Sequence, residues 1–342
     1  MATINVPGDQ PTIQAGINAA NPGDTVLVQP NTYMEEITID KSLTLVSSAG
    51  AATTIIYPGP LVYYMVSIEA DDVILDGFTI TNPDYVGNAD ASGVLTYNAG
   101  RKSNIRITNC IIHDIGSMLR LSASFGTYGI NSGPVDGLEV DHNIIYNIGN
   151  TDGTDSEAVG IFVWGNDNVE SAVNINIHDN QVYNIINPTD DNSGIRTGGY
   201  TSDVNIESNT ISPIIKEGIV TSPNMIGPVT ITGNTIDGAL IYGLLLRSPF
   251  LQTVTQNTIK NSVTGIDIAV GSSAPQINYN NIFGNSIGLH NESTHNVNAI
   301  NNWWGSINGP NTPGADTLVG PANYTPWLQT PYPPPVRGIS FW

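Results

Sequence analysis

Several side chains that could do acid/base chemistry or bind anions recur at fixed distances after a repeated Gly-Ile mark. The mark is Gly-Ile or Gly-Leu, and it begins at Gly129, Gly160, Gly194, Gly218, Gly243, Gly265 and Gly288. Period-two alternation points the residue after each Gly inward and sends the residues two and four positions after the Gly into solvent. The first outward column is Asn131, Phe162, Arg196, Val220, Leu245, Asp267 and His290; the second contains Trp164, Arg247 and Glu292. We expect both columns to lie on one stripe, which we call the Gly-Ile face.

Two reactions fit the charged residues of this face. In a lyase, Arg247 or Arg196 would neutralise a uronate carboxylate. His290 or Asp267 would then remove the adjacent proton. In a glycoside hydrolase, Asp267 and Glu292 would form the carboxylate pair. We expect the Arg neighbour to keep Asp267 ionised and Asp267 to favour a charged His290. The plainer alternative is that these residues are ordinary solvated side chains on an exposed strand.

Aromatic and polar residues beside the catalytic candidates predict substrate contacts, and acidic loops predict a cation site. The expected substrate-binding residues are Phe162, Trp164, Asn131 and Glu292. The loop residues that could order around a Ca²⁺ ion are Asp152, Asp155, Glu157, Asp190 and Asp191. Their oxygen atoms are the ligands that Ca²⁺ prefers, although acidic loop tips without a metal are common. No other cofactor is expected.

Histidines elsewhere give weaker signals. Asp141, His178 and Glu207 form another outward column, which could be a metal or acid/base set or a solvated ladder. No partner is evident for the remaining histidines, which we interpret as surface or turn residues: His113, His142 and His295.

A recurring asparagine indicates the elements that must position these groups. Its members are Asn109, Asn143, Asn180, Asn209, Asn234, Asn257, Asn280 and Asn302. The spacing falls from 34 and 37 residues in the early repeats to 22 in the last, and short β-branched runs lie between. Such a period predicts a solenoid with three strands per turn, in which the asparagines stack as a ladder. We assign these asparagines a structural role and no catalytic one. The extra residues, about 115–127, 148–158 and 185–193, would wall a groove.

Both ends of the repeat carry a cap in this interpretation. Residues 1–24 contain a short amphipathic helix with Ile13, Ile17 and Ala20 on one face. Residues 25–302 form the all-β right-handed parallel β-helix. Residues 303–342 form an aromatic, Pro-rich C-terminal cap and tail, beginning near Trp304. Solenoids need such covers because a bare terminal coil would pair with another chain.

The amino-acid composition limits the kinds of partner and site that we expect for this protein. The 342 residues carry 30 acidic and 10 basic side chains, a formal net charge of −20. This balance argues against nucleic acid or an anionic membrane as a partner. Cys110 is the single cysteine, so an intramolecular disulfide or a Cys-based zinc site is excluded. Low Lys and Arg content with abundant Asn, Thr, Ser and Gly is typical of extracellular or cell-surface repeat proteins, with a virion or cytoplasmic protein as the alternative.

Two segments carry a family resemblance. Residues 12–45 resemble the opening of the pectate-lyase-like β-helix superfamily, with Asn31 where Gly is usual. Residues 301–310 and 323–328 resemble the closing segment of its β-helix-repeat, copper-maturation-type branch. The resemblance implies the scaffold, because the motifs of polygalacturonases and pectin methylesterases are missing or incomplete here. Copper delivery is disfavoured because Met is scarce and no Met/His cluster occurs.

The leading functional hypothesis is a carbohydrate-active β-helix, of lyase or glycoside hydrolase type, acting on a polysaccharide in a groove on the Gly-Ile face. The alternative is a non-catalytic surface or phage-type module that is structural or binds glycan. Monomer and homotrimer are both compatible with the sequence.

Overall fold

The computed structural model describes residues 1–85, 90–96, 100–116, 126–149, 157–187, 191–213 and 216–333, with only the backbone of Asp191. The chain forms a right-handed parallel β-helix in which each complete coil passes through three sheets in turn. One helix, α1 (Ile13–Ala19), lies near the start, with Thr12 as its N-cap and Ile13 and Ile17 buried. Within the described residues, no helix has the length and apolarity needed to span a membrane.

Sheet 1 has 13 strands and comes first in each coil. Its strands are β1 (Thr3–Val6), β2 (Asp24–Val28), β5 (Leu43–Ser47), β8 (Val73–Asp76), β11 (Lys102–Thr108), β14 (Val135–Asp141), β17 (Ala172–His178), β20 (Thr201–Glu207), β23 (Val229–Thr232), β26 (Gln252–Thr255), β29 (Gln276–Asn278), β32 (Val297–Asn298) and β34 (Ala322–Asn323).

Sheet 2 has 10 strands and follows a corner after sheet 1. Its strands are β3 (Asn31–Tyr33), β6 (Thr54–Ile56), β9 (Thr79–Asn82), β12 (Ile111–Ile115), β15 (Ile144–Gly149), β18 (Gln181–Ile186), β21 (Thr210–Ile211), β24 (Thr235–Asp237), β27 (Thr258–Lys260) and β30 (Asn281–Phe283).

Sheet 3 has 11 strands and carries the Gly-Ile face. Its strands are β4 (Ile37–Ile39), β7 (Tyr64–Ile68), β10 (Ala91–Leu95), β13 (Gly126–Ser132), β16 (Glu157–Val163), β19 (Asp191–Thr197), β22 (Glu217–Thr221), β25 (Tyr242–Leu246), β28 (Thr264–Ile268), β31 (Ile287–Asn291) and β33 (Thr317–Val319).

The asparagine ladder stands at the corner between sheets 1 and 2. Each side-chain oxygen accepts from the backbone and side-chain amides one coil earlier, as Asn257 Oδ1 does from Asn234 N at 2.9 Å and Nδ2 at 3.0 Å. The same bonds run through the ladder, whose members are Asn143, Asn180, Asn209, Asn234, Asn257, Asn280 and Asn302. The inclusion of Asn109 was wrong. Cys110 occupies that rung and donates its amide to Asn143, whereas Asn109 has a φ of 53° and bonds Asp76.

The Gly of the Gly-Ile mark serves close packing rather than a corner. Each lies inside a sheet 3 strand, and its φ is not in the left-handed region. A Cβ on Gly218 would lie 2.5 Å from the Gly243 carbonyl oxygen and 2.7 Å from Ile236 Cγ2. The glycine column therefore lets neighbouring coils approach over the apolar core.

A single continuous apolar core fills the interior, and side chains near both termini pack on its ends. Ile13 and Ile17 of α1 cover the first coil, and Trp304 is fully buried beneath the last. Tyr324 and Trp327 pack against the same cluster. The division of the chain into two caps and a central β-helix stays a prediction, with segments 1–24, 25–302 and 303–342. β1 already pairs with β2 inside the first segment, and β33 and β34 extend sheets 3 and 1 inside the last.

Candidate functional site

Backbone register aligns the residues expected to face solvent on sheet 3 as one column. The expected exposure was wrong for four of them, which are buried: Asn131, Val220, Leu245 and Asp267. The successive partners are Asn131, Phe162, Arg196, Val220, Leu245, Asp267 and His290. Coils are spaced by about 4.8 Å, so Arg196 and Asp267, three coils apart, are separated by about 14 Å along the axis. The predicted residues thus divide into an early group around Arg196 and a late group around Asp267.

The late group contains a hydrogen-bonded carboxylate and imidazole. His290 Nδ1 lies 2.8 Å from Asp267 Oδ1 and 3.9 Å from Glu292 Oε1. Asp267 is buried, whereas the His290 side chain is 30% exposed and Glu292 is 44% exposed. We assign the Nδ1 proton to this bond, because the carboxylate accepts and the neutral imidazole has one N–H to donate. The other nitrogen, Nε2, then carries a lone pair that can accept a proton.

Burial has the largest effect on the pKa of Asp267. Burial raises the pKa of Asp267, and the charge of Glu292 reinforces that change. The hydrogen bond from His290 and the more distant charge of Arg247 act in the opposite direction without reversing it. Arg247 therefore acts on Asp267 in the expected direction, but desolvation has the larger effect on the pKa of this carboxyl.

Tyr242 joins the late group and was missed by the sequence analysis. Burial raises its pKa, and the charges of Asp267, Glu292 and Glu217 raise it further. It belongs to a third outward column, one residue before each Gly, in which Glu217 pairs in register with Tyr242. The sequence pattern could not reveal it, because strict alternation carried back from Leu245 points Tyr242 inward. The alternation breaks at Gly243, where a Cβ would meet the inner Ile259.

The early group holds Arg196 in a closed network. Its guanidinium lies 2.9 Å from Glu157 Oε2 and 3.1 Å from Glu217 Oε2, and it also donates to Ser193 Oγ at 2.8 Å. Tyr128 donates its hydroxyl to Glu157 Oε1 at 2.5 Å. Two carboxylates already balance the Arg196 charge and its side chain is 13% exposed, which argues against the expected role in neutralising a substrate carboxylate.

Arg247 is the better placed arginine. It is half-buried and lines a pocket of about 200 Å³ together with Phe162, Arg196 and Val220. Its position in the second column, one coil before Asp267, brings its charge within reach of that carboxyl. Neither Asp267 nor His290 lines this pocket, so Arg247 is the residue through which it approaches the late group.

The aromatic residues of the early group are partly exposed. Phe162 stacks on Tyr128 with ring centroids 5.6 Å apart and planes 12° apart. Trp164 donates its indole N–H to Asn131 Oδ1 at 3.0 Å. Asn131 is 8% exposed, so its side chain supports Trp164 rather than offering a surface of its own.

The calcium prediction cannot be followed residue by residue. Asp152, Asp155 and Asp190 lie outside the described residues, and so does the side chain of Asp191. Glu157 is described and is bonded to Tyr128 and Arg196. Most of the first two predicted groove walls and three residues of the third also lie outside the described part, which omits 117–125, 150–156 and 188–190.

Sheet 1 holds a second cluster. Asp141, His178 and Glu207 are in register, as predicted. His178 Nε2 contacts Glu139 Oε1 at 3.2 Å, so Glu139 rather than Glu207 completes the group with Asp141.

Two further contacts bear on the histidine expectations. His142 Nδ1 lies 2.8 Å from Asp141, and His113 pairs with Asp114 at 2.7 Å. The expectation that His113 and His142 have no partner was therefore wrong. In each pair the carboxylate neighbours the histidine in the chain, so the spacing pattern between repeats could not reveal it.

Comparisons with known proteins agree with the fold. A family model described as a right handed beta helix region matches residues 66–249, more than half of the chain. An alginate lyase from Paenibacillus sp. str. FPU-7 superposes with a TM-score of 0.50 at 14% identity, over 94% of this chain and 99% of that one. The pectate lyase Pel9A superposes with a TM-score of 0.51 at 11% identity, over 96% and 79%. No curated protein matches the sequence. At such identities the structural likeness concerns the fold alone.

Proposed function

The chain belongs to the family of right-handed β-helix regions, and from that premise we propose that it is a polysaccharide-acting enzyme whose reaction takes place on sheet 3. The single observation that carries the proposal is the bond between Asp267 and His290, which leaves His290 Nε2 as an open base two coils after Arg247. The two solved structures that superpose over most of this chain are described as lyases of alginate and pectate. They support a uronate-containing substrate.

The proposed reaction is a β-elimination. Arg247 binds the carboxylate of a uronic acid unit, and its charge stabilises the carbanion-like state that forms when the adjacent C–H is broken. His290 Nε2 accepts that proton. The electron pair of the C–H bond becomes a carbon–carbon double bond, and the glycosidic C–O bond breaks. Asp267 is a positioning residue, because it holds the Nδ1 proton and stabilises the imidazolium.

Tyr242 is the proposed acid for the leaving oxygen. It is the neutral hydroxyl within electrostatic reach of Asp267 and Glu292, and its raised pKa keeps the phenol protonated. A proton from this group would complete the elimination, since the departing sugar needs one. Phe162 and Trp164 would hold neighbouring sugar units by their partly exposed rings.

A hydrolase is the second candidate. One carboxylate oxygen of Asp267 and one of Glu292 lie within 4.8 Å of each other, close to the spacing of about 5 Å found in retaining glycosidases. The raised pKa of Asp267 also suits a general acid. A non-catalytic glycan-binding module is the third, and it would use the aromatic residues without turnover.

Product analysis separates the three. The purified protein is incubated with a panel of uronic-acid and neutral polysaccharides, with and without Ca²⁺. A lyase releases unsaturated ends that absorb ultraviolet light, and we expect this result on a uronate polymer. New reducing ends without absorbance would indicate the hydrolase. Retention of a labelled glycan without any product, or neither binding nor product on the whole panel, would contradict the enzymatic proposal.

A further inference from the structure

A cluster on sheet 1 has no part in the reaction proposed for sheet 3. His178 ends β17 and pairs in register with Asp141 at the end of β14, one coil earlier. Glu139 lies two residues before Asp141 on the same outward face. One oxygen of each carboxylate and one nitrogen of His178 lie within 4.8 Å of one another. A metal ion with bonds of about 2.0 to 2.2 Å could reach all three after small side-chain adjustments.

Both ring nitrogens of His178 face carboxylates. Nδ1 lies 3.1 Å from Asp179 Oδ2, and Nε2 lies 3.2 Å from Glu139 Oε1. A neutral imidazole has one proton, so it can donate to only one of them. The second contact requires a second proton or a metal ion. Metal-binding histidines commonly donate one ring N–H to a carboxylate, which fixes the tautomer and the orientation of the ring. Asp179 can accept from Nδ1 in this way, while Nε2 faces the oxygens of the other ligands.

The charge and access of the cluster favour a divalent cation. Glu139, Asp141 and Asp179 bring three negative charges, and Arg106 returns one positive charge. A divalent ion would balance the remainder. A cavity of about 450 Å³, lined by Arg106 and Glu139 among others, reaches the cluster at Glu139.

We propose that His178, Glu139 and Asp141 bind one divalent transition-metal ion of the zinc class, with Asp179 as the positioning residue. The single imidazole and the carboxylates suit such an ion better than Mg²⁺ or Ca²⁺, which prefer oxygen ligands alone. Arg106 competes with the metal. Its Nε and NH2 groups donate to the two Asp141 oxygens at 2.9 and 2.8 Å. Thr108 Oγ1 and His142 Nδ1 also contact Oδ2, at 2.9 and 2.8 Å, so the ion must share or displace these contacts.

Zinc titration of the full chain by isothermal calorimetry tests the site. We expect one zinc ion to bind, and His178→Gln to weaken its affinity at least tenfold, because a ligand is lost. Two matched variants, His113→Gln on sheet 2 and His290→Gln on sheet 3, should bind zinc within twofold of the wild type. Circular dichroism spectra establish that each variant is folded.

Arg106→Gln provides a second, opposite readout. Removing the competing cation should tighten zinc binding severalfold, whereas a merely structural arginine would give unchanged or weaker binding. The proposal is overturned if the wild type binds no zinc at 1 mM, if His178→Gln binds as well as the wild type, if His290→Gln or His113→Gln loses the affinity instead, or if Arg106→Gln does not bind more tightly. None of these results depends on polysaccharide turnover, so they leave the reaction on sheet 3 to its own test.

Discussion

His290 and His178 both have acidic neighbours, but only in His178 do both ring nitrogens contact a carboxylate. We assign different chemistry to the two histidines for this reason. On sheet 3, His290 directs Nδ1 to Asp267 and leaves Nε2 for a substrate proton. On sheet 1, carboxylates face both nitrogens of His178. The first arrangement suits a base and the second suits a bound cation. The residue types alone, an imidazole among carboxylates, could not distinguish them.

Asp316 gives a prediction at the same scale. This buried carboxylate accepts from the backbone amide of Asn285 and, at 2.7 Å, from its side-chain amide. Burial raises the pKa of Asp316 in spite of those bonds. The stability linked to its protonation is therefore fully present below the unfolded pKa of about 3.9, and it is lost as the pH rises through the folded value.

The comparison is between the wild type and Asp316→Asn, unfolded by urea at several pH values. The wild-type free energy of unfolding, relative to that of the variant, should fall as the pH rises from about 4 to 7. A relative stability that instead increases over this range would contradict the assigned direction.

At the scale of the elements, the asparagine ladder makes neighbouring coils depend on one another. Asn234→Leu would remove the acceptor that Asn209 uses for both its backbone amide at 2.9 Å and its side-chain amide at 3.0 Å. Each buried donor left without a partner costs about 1 to 3 kcal/mol. We expect Asn234→Leu to lower the free energy of unfolding by about 3 kcal/mol, measured by urea denaturation.

Asn205→Ala is the matched control. Its amide also bonds an asparagine of the preceding coil, Asn176 at 3.0 Å, but on the half-buried outer face of sheet 1. Water can replace that bond, so its loss should cost less than about 1 kcal/mol. Equal effects of the two substitutions would show that the interior ladder has no special part in stability.

At the scale of the whole molecule, the repeat in the sequence was enough to predict the fold. The Gly-Ile mark and the asparagines recur once per coil, so counting from them gave the column that includes Phe162, Arg196, Asp267 and His290. In a parallel β-helix, equivalent residues of successive sequence repeats pair between neighbouring coils, so the strand register follows from the repeat spacing. The one-position error at Asn109 arose because Asn109, like the ladder asparagines, stands two residues before an apolar residue, Ile111, whereas the buried rung is taken by Cys110.

The site was less predictable than the fold, because its chemistry depends on side-chain pairing between coils of unequal length. Glu157 and Glu217 neutralise Arg196 from the coils on either side, and Tyr242 enters from a column before the Gly. The spacing of the sequence repeat identifies which residues share a face. It does not show which of two carboxylates an arginine contacts, nor that burial outweighs the charge of Arg247 at Asp267.

Turnover by His290→Gln tests the central claim most directly. On the uronate polymer that the wild type cleaves, the account predicts a loss in kcat of about a hundredfold or more, the usual contribution of a general base. His113→Gln, a histidine change on sheet 2 outside the proposed site, should keep kcat within about twofold. Unchanged turnover by a folded His290→Gln variant would contradict the assignment of the reaction to this face of the coil.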